Sequence, residues 1–230
     1  ALWCREVLGS AAGAAGGGEM SKAVLISIQS DWCKKILSCE KTVEVRKTRP
    51  KLETPFKVYI YCTKTAEGWL RTVPVQGWQR LDGFVIGEFT CYKIDTIQRM
   101  GIDNNFDYCY LSLNEFGNDD IAIEIRDIKK SCIPKSELNS YAKYAPELFA
   151  WHISDLRVYD TPRDLDEFSR FGFFGMGRSN CVCGNWRCEN YEPSYHYMIP
   201  PTCKIEGCSI YRSPQSWCYV QEMEVADGKA

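Results

Sequence analysis

Four polar residues at close spacing, Lys41, Thr42, Glu44 and Arg46, are the strongest candidates for chemistry in this sequence. In a strand, alternate side chains project from one face, so the last three share a face while the valines between them point into a core. A carboxylate held between cations on a rigid strand can fix a polar ligand in register. An exposed edge strand with ordinary salt bridges is the alternative interpretation.

The surroundings of this motif are basic. Residues 31–51 include seven basic and three acidic side chains, a local net charge of +4, in a chain whose overall net charge is −2. Lys47 and Arg49 therefore join the candidate contacts for a phosphate-bearing ligand. A solvated surface is the other explanation of the same charges.

The elements that must position these residues follow from hydrophobic periodicity. Ala23–Ile28 is predicted as a strand, Ser30 as the N-cap of a helix of about nine residues, and Thr42–Lys47 as the next strand. The other predicted strands are Lys57–Cys62, Gly83–Tyr92 with a bulge at Gly87, Asp120–Asp127, Leu148–Tyr159 and Gln215–Gln221. Further predictions are a helix over Pro134–Tyr144, a short helix from Thr161 to Phe168, a long loop over Thr63–Leu81, and irregular structure over Met100–Asn118.

Strands that are seldom separated by full crossover helices indicate an α+β fold. We predict a small mixed β-barrel with short flanking helices rather than a doubly wound sheet. His152 is interpreted as a satisfied core histidine rather than a catalytic base.

Five cysteines, at positions 181, 183, 188, 203 and 208, are concentrated in one short segment. A segment this size needs a staple, and four thiolates around a structural zinc ion are one solution. The spacing leaves open which four of Cys181, Cys183, Cys188, Cys203 and Cys208 would bind, with His196 as a further candidate. Free thiols packed in a loop, or disulfides formed after purification, are the alternatives.

Length and composition bound the remaining possibilities. We predict a leader over residues 1–19 that is disordered and non-native, with Met20 as the true start, a barrel over 20–167, a cysteine-rich insertion over 168–212, a closing strand over 213–222 and a tail over 223–230. Thirteen cysteines, an odd number without a secretory signal, favour a reducing, cytoplasmic location. We expect no membrane span and a monomer.

The segment Ile36–Arg46 resembles the ASCH domain family, whose members carry a helix, a lysine- and threonine-containing turn and an E-x-R strand. The strands around Lys57–Cys62 and Gly83–Tyr92, and the Trp151-His-Ile segment, fit the same layout. The whole is similar to larger ASCH proteins of phages and gut bacteria. The resemblance implies a PUA-like barrel with a cleft for RNA or a modified nucleoside. It also makes Tyr61 on one strand, and Trp69 and Trp78 in the long loop, candidate ligand contacts, since aromatic rings stack on bases, although loop tryptophans also fill local cores.

On this resemblance, Lys41, Thr42, Glu44 and Arg46 fall on the family motif and form the ligand site. Some small ASCH proteins hydrolyse acylated cytidine with a lysine and a threonine nucleophile. Lys41 matches that lysine, but Glu44 stands in place of the threonine, so the sequence departs from that mechanism. The leading interpretation is binding of RNA or a modified nucleoside. The alternatives are a hydrolase, an amidohydrolase or ribonuclease, with Lys41 and Glu44 as its acid/base pair, and a phage-type adaptor that recognises a protein.

Overall fold

A computed structural model describes residues 21–73, 77–102, 108–113, 129–143, 145–170 and 208–223 of the 230-residue chain. Nine strands lie within these ranges: β1 (Lys22–Ile28), β2 (Val43–Arg46), β3 (Phe56–Cys62), β4 (Leu70–Val73), β5 (Gly77–Arg80), β6 (Val85–Ile102), β7 (Tyr108–Leu113), β8 (Glu147–Arg163) and β9 (Trp217–Gln221). Two α-helices lie wholly within them, α1 (Ser30–Leu37) and α2 (Lys135–Ala142), with a short 3-10 helix over Leu165–Glu167.

Seven of the strands form one mixed sheet. Its order is β2-β8-β6-β3-β1-β9, with β7 paired to β6, and β1 and β3 are its parallel neighbours. The remaining two strands, β4 and β5, form a separate hairpin. A sheet-dominated structure with few short helices confirms the predicted α+β class.

The sheet is strongly curved. In a flat sheet of this order, β2 and β1 would lie four strand spacings apart, roughly 19 Å. However, the Arg46 side chain on β2 donates from Nη2 to the backbone carbonyl of Ser27 on β1 at 2.7 Å. Since an arginine side chain cannot span the flat distance, the sheet must curl until its β2 end approaches β1.

Both faces of the central strands are buried. Val58, Ile60 and Cys62 of β3 belong to one apolar cluster, whereas Tyr59 and Tyr61 belong to another. Alternate side chains of a strand point to opposite faces, so the two sets lie on opposite sides of β3. A third apolar cluster lies between β2, β8 and α2, and it contains Val43 and Val45, as predicted for the valines of the motif.

A bulge occurs at Gly87, as expected. The register of β6 shifts there relative to both β3 and β8. A Cβ atom at Gly87 would lie 2.5 Å from the carbonyl oxygen of Arg157, so the two strands approach too closely for any other residue.

Several predicted elements need correction. The supposed loop over Thr63–Leu81 contains the β4–β5 hairpin, and β6 with β7 occupies part of the region predicted to be irregular. The chain from Thr161 to Arg163 continues β8, so the short helix begins only at Leu165. Ser30 is the first helical residue, and Gln29 is the N-cap. The predicted strand over Asp120–Asp127 and the leader lie outside the described residues.

Candidate functional site

A cavity of about 660 Å³ lies where the β2 end of the curved sheet approaches β1. Its walls come from β1 and the start of α1, from the motif on β2, from α2, and from the segment that precedes β9. The lining residues that the following paragraphs use are Ser27, Trp32, Lys41, Glu44, Arg46, Glu137, Tyr141, Arg212 and Ser213. This volume is in the range of small-ligand sites.

Glu44 is the centre of the site. Its Oε2 lies 3.2 Å from Nζ of Lys41, and its Oε1 lies 2.9 Å from Nε of Arg46. The three side chains are almost fully buried, with exposed fractions of 0%, 8% and 9% for Lys41, Glu44 and Arg46. Charged residues are rarely this buried unless they are paired. The burial of each of these three side chains therefore depends on the opposite charge of its neighbours.

Lys41 is held on three sides. Its ammonium group donates to the carbonyl of Ser131 at 2.6 Å and lies 5.2 Å from the centre of the Trp32 ring. Ser131 ends the helical residues 129–131, and the last carbonyls of a helix lack partners within it. The lysine therefore satisfies one of these carbonyls, and the amide of Thr42 satisfies another, that of Lys130, at 3.0 Å.

Arg46 retains an unused donor. Its Nη2 is bound to Ser27, but the N–H at Nε has no hydrogen-bond acceptor in suitable geometry among the described residues. The short distance to Glu44 is thus an ion pair rather than an aligned hydrogen bond. A buried donor without an acceptor is costly, so Arg46 is the least satisfied member of the cluster.

The opposite wall adds an uncompensated charge. Arg212 has no ion-pair partner within the part of the chain that the structure describes, and it is exposed. The cavity is lined by three cationic side chains and two carboxylates, those of Glu44 and Glu137, which leaves a net charge of +1. Burial raises the pKa of the Tyr141 hydroxyl, so this aromatic wall stays neutral.

The other predicted contacts are distributed more widely. Thr42 and Trp69 do not line the cavity, and Trp69 packs against the first apolar cluster with the Lys34 ammonium 5.7 Å from its ring centre. Tyr61 is buried in the second cluster, and burial raises the pKa of its hydroxyl, which is close to the side chain of Ser213, a cavity residue. Lys47 and Arg49 are exposed on the turn after β2.

Sequence reasoning missed much of the cavity wall. Trp32 lies in the predicted first helix, but nothing in the sequence assigned it to the site, and α2 was not predicted to lie near the motif. Arg212 directly precedes the predicted closing strand, and this is its one sequence signal. The contribution of these residues depends on the curvature of the sheet, which local patterns do not encode.

A second buried ion pair lies away from the cavity. His152 on β8 is buried, and its Nε2 is 2.8 Å from Oδ2 of Asp95, whose other oxygen contacts Lys93 at 2.8 Å. Burial opposes ionisation of Asp95, but the bonds from His152 and Lys93 outweigh it and hold the pKa of the carboxyl below its usual value. The interpretation of His152 as a satisfied core histidine is confirmed.

Most candidate ligands of the predicted metal site lie outside the part of the chain that the structure describes. Cys181, Cys183, Cys188 and Cys203, together with His196, lie outside the described residues, and Cys208 is partly exposed. Within the described ranges, no group of three or more potential ligands is arranged to hold a metal ion. In the same ranges, none of the helices has the length and apolarity needed to cross a membrane.

Comparison with solved structures finds similarity to ASCH from Zymomonas mobilis, the family whose motif the sequence resembles. That structure is 19% identical, with a TM-score of 0.42 over 63% of this chain and 75% of the other. Two single-residue variants of it give TM-scores of 0.41 at 19% identity, over 63% of this chain and 77% or 75% of theirs. At this TM-score the likeness carries no argument about activity, ligand or residue roles. No protein-family model and no curated protein matches the chain.

Proposed function

We propose that the cavity binds one nucleotide-sized unit, either from RNA or as a modified nucleoside. The observation that carries this proposal is the buried cluster of Lys41, Glu44 and Arg46 on the cavity wall. A fixed carboxylate beside a fixed donor matches the edge of a base, which offers an amine next to a carbonyl or ring nitrogen.

The rest of the lining suits the same ligand. Trp32 and Tyr141 supply aromatic surface, and base stacking on such rings contributes about 1–3 kcal/mol per base. Arg212, which is exposed and without an ion-pair partner among the described residues, supplies a cation for a phosphate or a sugar oxygen. Aromatic faces, a polar edge and one uncompensated cation together favour a nucleotide over a purely apolar ligand.

The geometry favours binding over hydrolysis. Both oxygens of Glu44 are already in contact with a cationic side chain, so neither is free to take a proton from a substrate. The Lys41 ammonium is already engaged by Ser131, Glu44 and the Trp32 ring. Neither member of the proposed acid/base pair is therefore poised for proton transfer, and incubated RNA or acylated cytidine should be recovered intact.

The test is a titration by calorimetry. The four nucleosides, their 5′-monophosphates, an acylated cytidine and a ten-nucleotide single-stranded RNA would each be titrated at low and near-physiological salt. Arg46→Lys keeps the charge but replaces the planar guanidinium and its fixed donors by a single ammonium group, so we expect at least a tenfold loss of affinity for the ligand that binds. Lys93→Ala, which removes an ion-paired cation outside the cavity lining, is the control.

Thermal unfolding of each variant confirms that it is folded before titration. The proposal is overturned if no member of the panel binds the unaltered protein, or if Arg46→Lys, shown to be folded, binds as tightly as the unaltered protein.

A structural zinc ion in the cysteine segment remains a second proposal. It is supported by the five clustered cysteines and by the small size of the segment. Elemental analysis of the purified protein should give one zinc per chain, and substitution of Cys203 by serine should lower it. A chain without metal, purified under reducing conditions, would contradict the proposal.

A further inference from the structure

The turn that follows β2 carries a row of exposed cations. We call residues 47–51 the basic turn: Lys47, Arg49 and Lys51 are exposed, and Pro50 between them is buried. Within the described ranges, none of these three cations forms an ion pair with a carboxylate, whereas Lys34, Lys57 and Arg163 each do. The basic turn therefore presents three positive charges without compensation in the described structure.

This turn is fixed rather than free. The Trp217 indole donates from Nε1 to the hydroxyl of Thr48 at 3.0 Å, and the amide of Lys51 donates to the hydroxyl of Tyr219 at 2.6 Å. Both partners belong to β9, which is itself paired with β1. Because the backbone is tied at two points, a ligand that contacts the turn does not have to order it first.

The basic turn is continuous with the cavity. It begins directly after Arg46, which lines the cavity, and the Lys47 ammonium lies 5.0 Å from the centre of the Tyr141 ring, which also lines it. Arg212 belongs to the wall formed by the segment just before β9, the strand to which the turn is tied. Cations without an ion pair among the described residues thus lie both in the cavity lining, at Arg212, and on the adjoining basic turn.

We propose that the basic turn binds the backbone phosphates of a single-stranded polynucleotide, one nucleotide of which occupies the cavity. This inference rests on the proposed function and selects a polymer over a free nucleoside. A nucleotide that enters a cavity must be unpaired, which excludes an intact duplex. Neighbouring phosphates then need cations outside the cavity, and the basic turn provides them.

The test compares a polymer with a monomer on matched variants. The first variant is Lys47→Ala with Arg49→Ala and Lys51→Ala. The control, Lys64→Ala with Lys93→Ala and Arg157→Ala, removes the same number of lysines and arginines from exposed positions that do not line the cavity. Binding of a labelled ten-nucleotide RNA is followed by fluorescence anisotropy at several salt concentrations, and binding of the matching monophosphate by calorimetry.

We expect the basic-turn variant to lose at least tenfold in RNA affinity at near-physiological salt. The plot of log K against log salt should become less steep by up to about 2, because each phosphate contact in a single strand contributes roughly 0.7 to the slope. Monophosphate affinity should change less than twofold, and the control should resemble the unaltered protein.

Two outcomes separate the inference from the proposed function. If RNA affinity and salt slope in the basic-turn variant equal those of the control, the inference is wrong even when the monophosphate binds. If RNA binds through the basic turn but Arg46→Lys leaves that binding unchanged, the cavity proposal fails and the phosphate contact stands. A loss of affinity that is equal for the monophosphate and the RNA also overturns the inference.

Discussion

Two buried carboxylates lie on opposite faces of the β2–β8 pair, and each is held between two basic groups. Glu44 is opposite Trp151 in the register, and Val43 is opposite His152, so the His152–Asp95 pair lies on the other face from Glu44. Glu44 lines the cavity, whereas neither Asp95 nor His152 does. Similar clusters thus border a cavity on one face of the sheet and lie within its packing on the other.

The difference between the clusters is in their partners. Lys41 and Arg46 are both almost fully buried, so without Glu44 neither solvent nor another carboxylate among the described residues would balance them. Asp95 pairs with a lysine whose side chain is 48% exposed, and with His152. Removing the carboxylate should therefore be much more costly at Glu44 than at Asp95.

The largest effect is expected for Glu44→Ala. This change leaves two buried cations without a counter-charge, and breaking a buried pair in this way costs about 3–5 kcal/mol in the free energy of unfolding. Urea denaturation at neutral pH measures it. A loss below about 1 kcal/mol would show that water already reaches the cluster from the cavity.

Asp95→Ala should cost less, about 1–3 kcal/mol, which is the usual penalty for leaving a buried polar group unsatisfied. The same denaturation experiment applies, and Lys93→Ala, which removes only the half-exposed partner, is the milder control. If Asp95→Ala is as destabilising as Glu44→Ala, the proposed difference in energy between the two carboxylate clusters is wrong.

Arg212→Ala tests the exposed wall of the cavity. Because this arginine has no ion pair among the described residues, its removal should leave the free energy of unfolding within about 0.5 kcal/mol. Affinity for a 5′-monophosphate should fall about five- to tenfold, and affinity for the corresponding nucleoside should be nearly unchanged. Equal losses for both would place the phosphate elsewhere.

The smallest effect concerns acid stability. Since the folded-state pKa of Asp95 is lowered, its pairing stabilises the protein above the ordinary carboxyl pKa of about 4 and is lost as the pH falls through the folded-state value. Asp95→Asn should therefore flatten the decline of unfolding free energy between neutral pH and pH 3. If the free energy of unfolding of Asp95→Asn falls with pH as steeply as before, the loss of stability in acid arises from other carboxylates. Asp82, whose pKa is lowered by its bond with Arg80, is one of them.

Much of the local structure was predictable. The alternation in Lys57–Cys62 and in the motif predicted strands and assigned their faces correctly, because side chains alternate with period two whatever the fold. The errors occurred where polar or aromatic residues form strands that periodicity does not reveal, as in the β4–β5 hairpin and β7. There, pairing with a neighbouring strand determines the structure more than intrinsic preference does.

The site itself was predictable only in part. Glu44 and Arg46 were expected on one face with Lys41 beside them, and the structure brings all three together. The sequence did not indicate that Lys93, Asp95 and His152 form a comparable cluster. Asp95 and His152 meet through the register of β6 and β8, which joins residues 57 positions apart.

The sequence by itself determined the polar face of β2, the apolar face behind it and the α+β class, because these depend on spacing along the chain. Only the tertiary structure decided that the face borders a cavity. The curvature of the sheet, indicated by the bond between Arg46 and Ser27, brings β1, α2 and Arg212 around Glu44. That curvature results from the packing and pairing of many strands together, so no single segment encodes it.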